Sequence, residues 1–192
     1  MPRPSLKEQL LVAGLETFHR RGFNATSVQD ITDAAGAPKG SFYNHFESKE
    51  ALAVEAVHRY QEKGRARLAI LRETRLAPLR RLRKYFETLV GLVVEAEFNS
   101  GCLLGNFASE LSGQSPAVRE AVAGAFELWS DEIARVIGEA QQGGAVPSGA
   151  SPKALADFAL EAWEGAQMRA RAAKDRAPLD LFLKLTFAKI LG

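Results

Sequence analysis

The residues whose chemistry stands out lie in one short stretch near the N-terminus. Between Pro38 and Glu47, five hydrogen-bonding side chains accompany two phenylalanines spaced four residues apart, Phe42 and Phe46. If the stretch is a helix whose rings face inward, the other side chains face outward, where they can bond to nucleic-acid bases and phosphates. The outward residues are Lys39, Ser41, Tyr43, Asn44 and His45.

The second chemical feature is the single cysteine, Cys102, which directly precedes a predicted helix at about 103–111. At a helix N-terminus the helix dipole and the free N–H groups stabilise a thiolate and lower the thiol pKa. A free cysteine more commonly packs as a small apolar residue, and the adjacent Leu103 and Leu104 suit that role. Sensing and packing both stay open. With one cysteine an internal disulfide is excluded, whereas an adduct, a sulfenic acid or an intersubunit disulfide is not.

No arrangement typical of an enzyme or a metalloprotein is present. We find no paired carboxylates, no Ser/His/Asp arrangement and no glycine loop for phosphate, so no catalytic residue is predicted. One cysteine and three histidines leave no Cys/His zinc site, and no cofactor is expected.

Composition predicts the elements that must position these residues. The 31 Ala and 23 Leu far outnumber the 22 Val, Ile and Thr together, which favours an all-α fold. Capping boxes are predicted at Ser5–Glu8 and Thr26–Gln29, and Gly14 predicts close packing of the first helix. Two short helices around Gly36 then form a helix-turn-helix at about 27–46. Longer helices follow, including 152–173 and 178–191.

Charge is divided unevenly along the chain. Residues 1–85 carry 16 Lys/Arg and 9 Asp/Glu, whereas residues 86–192 carry 9 and 14. The first part of the chain thus has a net charge of +7 and the second part −5, which favours an N-terminal module that faces a polyanion.

No apolar run approaches the roughly 18–20 residues that span a bilayer, so we expect a cytoplasmic protein without a membrane partner.

Residue identity then indicates a family. The stretch 22–52, including Thr26-Ser27-Val28-Gln29 and Pro38-Lys39-Gly40-Ser41-Phe42-Tyr43, closely resembles the DNA-binding domain of the TetR family of transcriptional regulators, and the resemblance extends over about 5–60. It implies a DNA-binding domain at 1–48 and a helical ligand-binding and dimerisation domain at 49–192. It also implies a homodimeric repressor that a small molecule releases from a palindromic operator.

The resemblance also assigns roles to residues of the helix-turn-helix. Lys39, Gly40, Ser41 and Asn44 would lie nearest the bases, and Asn44 could read adenine with its paired donor and acceptor. The residues that would contact phosphates are Thr26, Ser27, Tyr43, His45 and Lys49.

The remaining predictions concern the C-terminal domain. Helices 152–173 and 178–191 would form the dimer. One apolar stripe of this interface would consist of Leu155, Ala159, Ala162 and Ala166, and the other of Phe182, Phe187 and Ile190. The alternative is that these helices cover the protomer's own core.

The stretch around Gly101-Cys102-Leu103 resembles the electrophile-sensing, NemR-like subgroup. Candidate walls of a ligand pocket are Phe86, Leu89, Val93, Phe107, Trp129, Trp163 and Met168. The alternative function is an all-α small-molecule-binding or thiol-dependent enzyme with a vestigial DNA module.

Overall fold

A computed structural model describes residues 4–192, and all regular structure within them is helical. That range contains eight α-helices, two 3₁₀ helices and one π-helical turn, and none of its residues forms a strand. The predicted all-α fold class is confirmed. The α-helices are α1 (Leu6–Arg21), α2 (Val28–Ala34), α3 (Lys49–Leu68), α4 (Pro78–Glu95), α5 (Leu103–Leu111), α6 (Pro116–Gln142), α7 (Pro152–Ala173) and α8 (Ala177–Leu185). The shorter elements are the 3₁₀ helices Lys39–Asn44 and Ala69–Arg72 and the π-helical turn Thr186–Ile190.

Serine caps begin several of the helices. The Ser5 hydroxyl accepts the Glu8 N–H at 3.3 Å, and the Ser151 hydroxyl accepts the Ala154 N–H at 3.2 Å. Each bond satisfies a backbone donor that has no partner inside the helix. The reciprocal half of the predicted box at Ser5 is wrong, because the Glu8 carboxylate accepts a hydrogen bond from Arg59 at 2.6 Å instead.

The capping box of α2 lies one residue later than predicted. Ser27 is the N-cap: its hydroxyl accepts the Asp30 N–H at 3.1 Å, and the Asp30 carboxylate accepts the Ser27 N–H at 2.8 Å. The predicted pair Thr26–Gln29 is wrong because the Thr26 hydroxyl is engaged elsewhere and donates to the Gly22 carbonyl at 2.7 Å. The carboxylate of Asp30 is also a stronger acceptor than the neutral amide of Gln29.

The described residues pack into two compact units. The first contains the described chain through Lys63 together with Cys102–Ala125. Its core joins α1, α2, α3 and α5 through fully buried side chains, among them Phe18, Ile31, Leu52 and Phe107. A Cβ at Gly14 would lie 2.5 Å from Leu52 Cδ2, so the predicted close packing at this glycine is confirmed.

The second unit contains Gly64–Gly101 and Phe126–Gly192. Its core is centred on three rings: Phe86 lies 4.9 Å from Phe182 and 5.8 Å from Trp163, measured between centroids. A buried arginine, Arg81, donates to the Leu71 carbonyl at 3.0 Å and pairs with Glu139. The Arg81 charge is therefore compensated inside this unit.

The apolar stripes predicted to face a second copy pack instead against the core of this unit. Ala159 and Phe182 are buried, and Leu155, Ala162, Phe187 and Ile190 lie against the buried cluster that contains Ala166. A helical stripe has the same spacing whether it covers a protomer's core or a partner, so spacing alone could not distinguish the two. The exposed large apolar side chains of α7 and α8 are Phe158, Met168, Leu181 and Leu185.

Two boundaries between the two units fall within α3 and α6, and the third falls between α4 and α5, at 101/102. Helix α5, which the sequence division at 48/49 places in the C-terminal domain, packs in the first unit. The functional division at 48/49 stays a prediction. Among residues 4–192, no helix combines the length and the apolar character needed to cross a membrane.

Candidate nucleic-acid interface

The helix-turn-helix consists of α2, a tight turn and the 3₁₀ helix Lys39–Asn44. Gly36 forms the turn with a left-handed φ of +63°, a conformation that glycine adopts without steric cost. The turn is closed by the Ala37 N–H, which donates to the Thr32 carbonyl at 2.8 Å. The turn glycine predicted from the sequence is confirmed.

Two buried rings hold the 3₁₀ helix in place. Phe42 and Phe46 are both buried, with ring centroids 5.5 Å apart, as their spacing predicted. The helix ends at Asn44, two residues before the predicted end of the helix-turn-helix at about 46, and it is wound more tightly than an α-helix. Pro38 supplies no N–H, and the Ser41 hydroxyl donates to the Pro38 carbonyl at 2.6 Å, which favours a 3₁₀ turn over so few residues.

The side chains on the outer surface of this helix are free to reach a partner. Lys39, Asn44 and His45 are exposed, and Tyr43 has 60% of its surface exposed. A Cβ at Gly40 would meet no other described atom within 4 Å, so this part of the helix is an open surface. Ser41 is half-buried. The outward orientation predicted for these residues is confirmed except at Ser41, whose hydroxyl bonds to its own turn.

Three of the residues predicted to contact phosphate have other bonds in this structure: the Ser27 hydroxyl caps α2, and Thr26 and Lys49 bond within the preceding turn. Thr26 is buried, and the Lys49 ammonium donates to the carbonyls of Phe23 and Thr26 at 2.9 and 2.6 Å. The same ammonium lies 4.0 Å from the centre of the Phe23 ring. Both side chains therefore stabilise the turn between α1 and α2, and their contact with phosphate stays a prediction, as does that of Ser27.

One further contact of this turn has no signal in the sequence. The carboxylate of Glu110, on α5, accepts the Asn24 N–H at 2.8 Å. The two residues are separated by 86 positions in the chain, so no local spacing connects them.

Cys102 is the N-cap of α5, as predicted, and it is buried. Its Sγ lies 3.9 Å from the hydroxyl oxygen of Tyr60, which donates a weak hydrogen bond to it. Burial in this position suits packing, and the helix N-terminus suits a reactive thiol. The role of Cys102 as a sensor stays a prediction.

The predicted pocket walls do not form one group. Phe86, Leu89, Val93 and Trp163 are buried in the core of the second unit, with Trp129 packed against them. Phe107 lies in the first unit between Phe18 and Phe23, and Met168 has 70% of its surface exposed. The indole N–H groups of Trp129 and Trp163 are buried without a hydrogen-bond acceptor among the described residues.

Comparison with known proteins identifies the family of the chain. Residues 10–56 match the family of bacterial regulatory proteins called the tetR family, and residues 78–186 match the Tetracyclin repressor-like C-terminal domain. The HTH-type transcriptional repressor DhaR of Mycobacterium sp. (strain GP1) is 38% identical over 192 residues, which cover 100% of this chain and 95% of DhaR.

A solved structure agrees with this match. The regulatory protein TetR from Rhodobacter sphaeroides superimposes with a TM-score of 0.90 at 32% identity, covering 98% of this chain and 100% of that one. The HTH-type transcriptional repressor NemR of Escherichia coli K12 is only 25% identical over 175 residues, covering 91% of this chain and 88% of NemR, so the NemR-like subgroup is supported only loosely. These similarities give no support to the enzyme alternative. The chain therefore belongs to the TetR family of transcriptional regulators, with an N-terminal part that binds DNA and a C-terminal part that binds a ligand.

Proposed function

We propose that this regulator is a homodimeric repressor that binds a palindromic operator through residues 27–46. The observation that carries the proposal is the 3₁₀ helix Lys39–Asn44, which is fixed by buried Phe42 and exposes several hydrogen-bonding side chains on one surface. A rigid element of this kind can enter the major groove and bond to base edges. Repression in particular is supported by DhaR, a similar protein named as a repressor.

Dimerisation through α7 and α8 is part of the proposal. Four large apolar side chains of these two adjacent helices are exposed in the single chain: Phe158, Met168, Leu181 and Leu185. An apolar surface of this kind is typical of a protein–protein interface. Two copies are also what a palindrome requires, because operator half-sites lie about 34–36 Å apart and each needs its own reading helix.

We further propose that a small molecule acts on the C-terminal domain and weakens DNA binding. The rings of Phe86, Trp163 and Phe182 offer an apolar environment, and the unpaired indole N–H of Trp163 could donate to a ligand acceptor. The ligand shifts the equilibrium by its difference in affinity between the DNA-binding and the released conformation. As a DNA-binding regulator without catalytic activity, the protein would act in the cytoplasm.

A covalent alternative remains for the inducing event. An electrophile would alkylate the Cys102 thiol, but the thiol is buried, so the N-terminus of α5 would have to open before reaction. A reversible ligand needs no such opening.

The test is fluorescence anisotropy of the purified protein on the duplex upstream of its own gene and on a scrambled duplex. Tight binding only to the first duplex is expected, and equal binding to both would contradict specific repression from that site. N-ethylmaleimide, which adds a carbon–sulfur bond at a free thiol, is then applied to the wild type and to Cys102→Ser. Release of the wild type alone would support covalent sensing, whereas no release would leave a reversible ligand as the inducer.

A further inference from the structure

The turn between α1 and α2 is held from two sides. Its first residue, Gly22, ends α1 with a φ of +83° and donates its N–H to the Phe18 carbonyl at 2.8 Å. From the start of α3, the Lys49 ammonium binds two carbonyls of the turn, those of Phe23 and Thr26. From the end of α5, Glu110 accepts the N–H of Asn24. Two carbonyls of this turn are therefore bound by a positive charge, that of Lys49, and one amide N–H by a negative charge, that of Glu110.

Glu110 and Gly22 fit each other closely. A Cβ at Gly22 would lie 2.5 Å from Glu110 Oε1, a separation that real Cβ atoms do not adopt. The absence of a side chain at Gly22 thus leaves the space that the carboxylate occupies, in addition to permitting the left-handed φ.

The position of Glu110 is fixed by its own helix. One turn earlier on α5, the ring of Phe107 is fully buried and lies 5.5 Å from the Phe18 ring and 6.2 Å from the Phe23 ring. Phe107 therefore anchors α5 against the end of α1 and the start of the turn. With the helix anchored, the carboxylate is directed at the Asn24 amide.

We propose that Glu110 is a positioning residue for DNA binding, which holds the α1–α2 turn so that Ser27 caps α2 and the 3₁₀ helix is presented to DNA. The proposal rests on the proposed function. Glu110 lies outside residues 10–56, which match the DNA-binding family, so its role is not part of that match. It acts through the turn, because the bond to Asn24 precedes the α2 N-cap by three residues.

The experiment compares Glu110→Ala with Glu110→Gln in the full-length protein. Glutamine keeps an oxygen that can accept the Asn24 N–H, so its affinity for the bound duplex should stay close to that of the wild type. Alanine removes the acceptor, and the affinity should fall by about tenfold, the order expected for the loss of a charge-assisted hydrogen bond. Glu120→Ala is the matched control, since Glu120 is an exposed glutamate of the same unit.

Salt dependence separates positioning from a purely structural role. If the α2 N-terminus moves away from the DNA backbone in Glu110→Ala, the protein neutralises fewer phosphates. The negative slope of log affinity against log salt should then become shallower, by about 0.9 for each phosphate contact that is lost. Thermal unfolding is measured in parallel. A lower unfolding temperature with unchanged affinity and slope would overturn the proposal, because Glu110 would then only stabilise the fold.

Two further variants keep the test decisive. Glu110→Asp retains the charge but shortens the side chain, and it replaces Glu110→Ala if that protein does not fold. Gly22→Ala inserts a methyl group toward the carboxylate, and its effect on affinity should be non-additive with that of Glu110→Ala if both act through one contact. If the wild type binds no duplex specifically, the proposed function fails. If the wild type binds and the Glu110→Ala protein binds equally well, only this inference fails.

Discussion

Individual side chains of the 3₁₀ helix have different chemistry to offer DNA. Asn44 carries a donor and an acceptor that can pair with adenine, whereas the Tyr43 hydroxyl can bond to a phosphate of any sequence. Both are exposed, and both project from a helix whose position Phe42 and Phe46 fix. Specificity and affinity should therefore respond to different substitutions.

The first prediction separates these two contributions. Asn44→Ala should weaken binding to the operator by about 1–3 kcal/mol and leave binding to a scrambled duplex nearly unchanged, because the substitution removes hydrogen bonds to a base. Tyr43→Phe should weaken binding to both duplexes to a similar extent, because a phosphate contact carries no sequence information. Anisotropy titrations on both duplexes measure this, with Lys84→Ala on α4 as a control. An equal loss of affinity for both duplexes in Asn44→Ala would indicate that Asn44 contacts the DNA backbone and not a base.

The second prediction concerns the pH dependence of the α2 cap. The Ser27 hydroxyl and backbone N–H, followed by the charge of Arg21, lower the pKa of Asp30 below its usual 3.8. Because the folded state depresses this pKa, the contribution of Asp30 to stability is present above pH 4 or so and is lost as the pH falls through the lowered pKa. Asp30→Ala should thus be less stable than the wild type at pH 7, and the difference should close in acid.

Denaturant unfolding at a series of pH values measures that difference. Asp33→Ala on the same helix is the control, since it makes the same gain in helix propensity without removing the capping box. If the difference in the free energy of unfolding between Asp30→Ala and the wild type stays constant through the whole acid range, the ionised carboxylate does not have this role.

At the scale of elements, helix ends were predictable where they depend on local chemistry. The predicted helices at 103–111 and 152–173 agree with α5 and α7, because helix ends depend on caps that involve residues only a few positions apart. The 3₁₀ geometry of Lys39–Asn44 was not predictable from ring spacing, because the i, i+4 spacing of Phe42 and Phe46 is typical of an α-helix and Phe46 lies beyond the end of the 3₁₀ helix. The sequence left open whether the apolar stripe of α7 faces a partner or the protomer's own core, since that choice depends on α4 and α8; in the structure the stripe packs against the core.

The third prediction tests the close approach of α1 and α3. Gly14→Ala should gain about 1 kcal/mol of helix propensity but place a methyl group against Leu52, which is fully buried. Overpacking of a core costs about 1–3 kcal/mol, so the net effect should be a lower free energy of unfolding, measured by denaturant titration.

The control for this prediction is a glycine with free space around it. Gly91 is inside α4, and a Cβ there would meet no other described atom within 4 Å, so Gly91→Ala should stabilise the protein by roughly 1 kcal/mol. In a Leu52→Ala background, Gly14→Ala should become stabilising as well, because the opposing methyl groups are gone. Stabilisation by Gly14→Ala in the wild-type background would show that the two helices separate at little cost.

At the scale of the whole molecule, the sequence could not predict how distant segments combine into units. Phe107 was named as a candidate pocket wall, and the structure places its ring in the core with Phe18 and Phe23. The bonds of the Lys49 ammonium to the carbonyls of Phe23 and Thr26 had no signal in the sequence, and its contact with phosphate stays a prediction. The exposure of the residues around Asn44 was predictable because their positions relative to Phe42 and Phe46 are set locally. Contacts between segments dozens of residues apart leave no such pattern.

The last prediction concerns assembly. If the exposed apolar side chains of α7 and α8 form the dimer, Phe158→Glu or Leu181→Glu should produce monomers, because each places a charge in a desolvated interface. The two residues have 51% and 49% of their surface exposed in the single chain. Size-exclusion chromatography with light scattering measures the mass, and anisotropy on the operator should show a large loss of affinity, since one reading helix engages only one half-site.

Leu128→Glu on α6 is the matched control for these variants. Leu128 is also a large exposed apolar residue, with 61% of its surface exposed, but it lies on neither predicted interface helix, so this variant should remain a dimer that binds DNA. A Phe158→Glu protein that stays dimeric would place the interface on another surface. A monomer that retains full operator affinity would contradict the requirement for two reading helices, because binding to both halves of a palindrome multiplies affinity only when the two copies are physically joined.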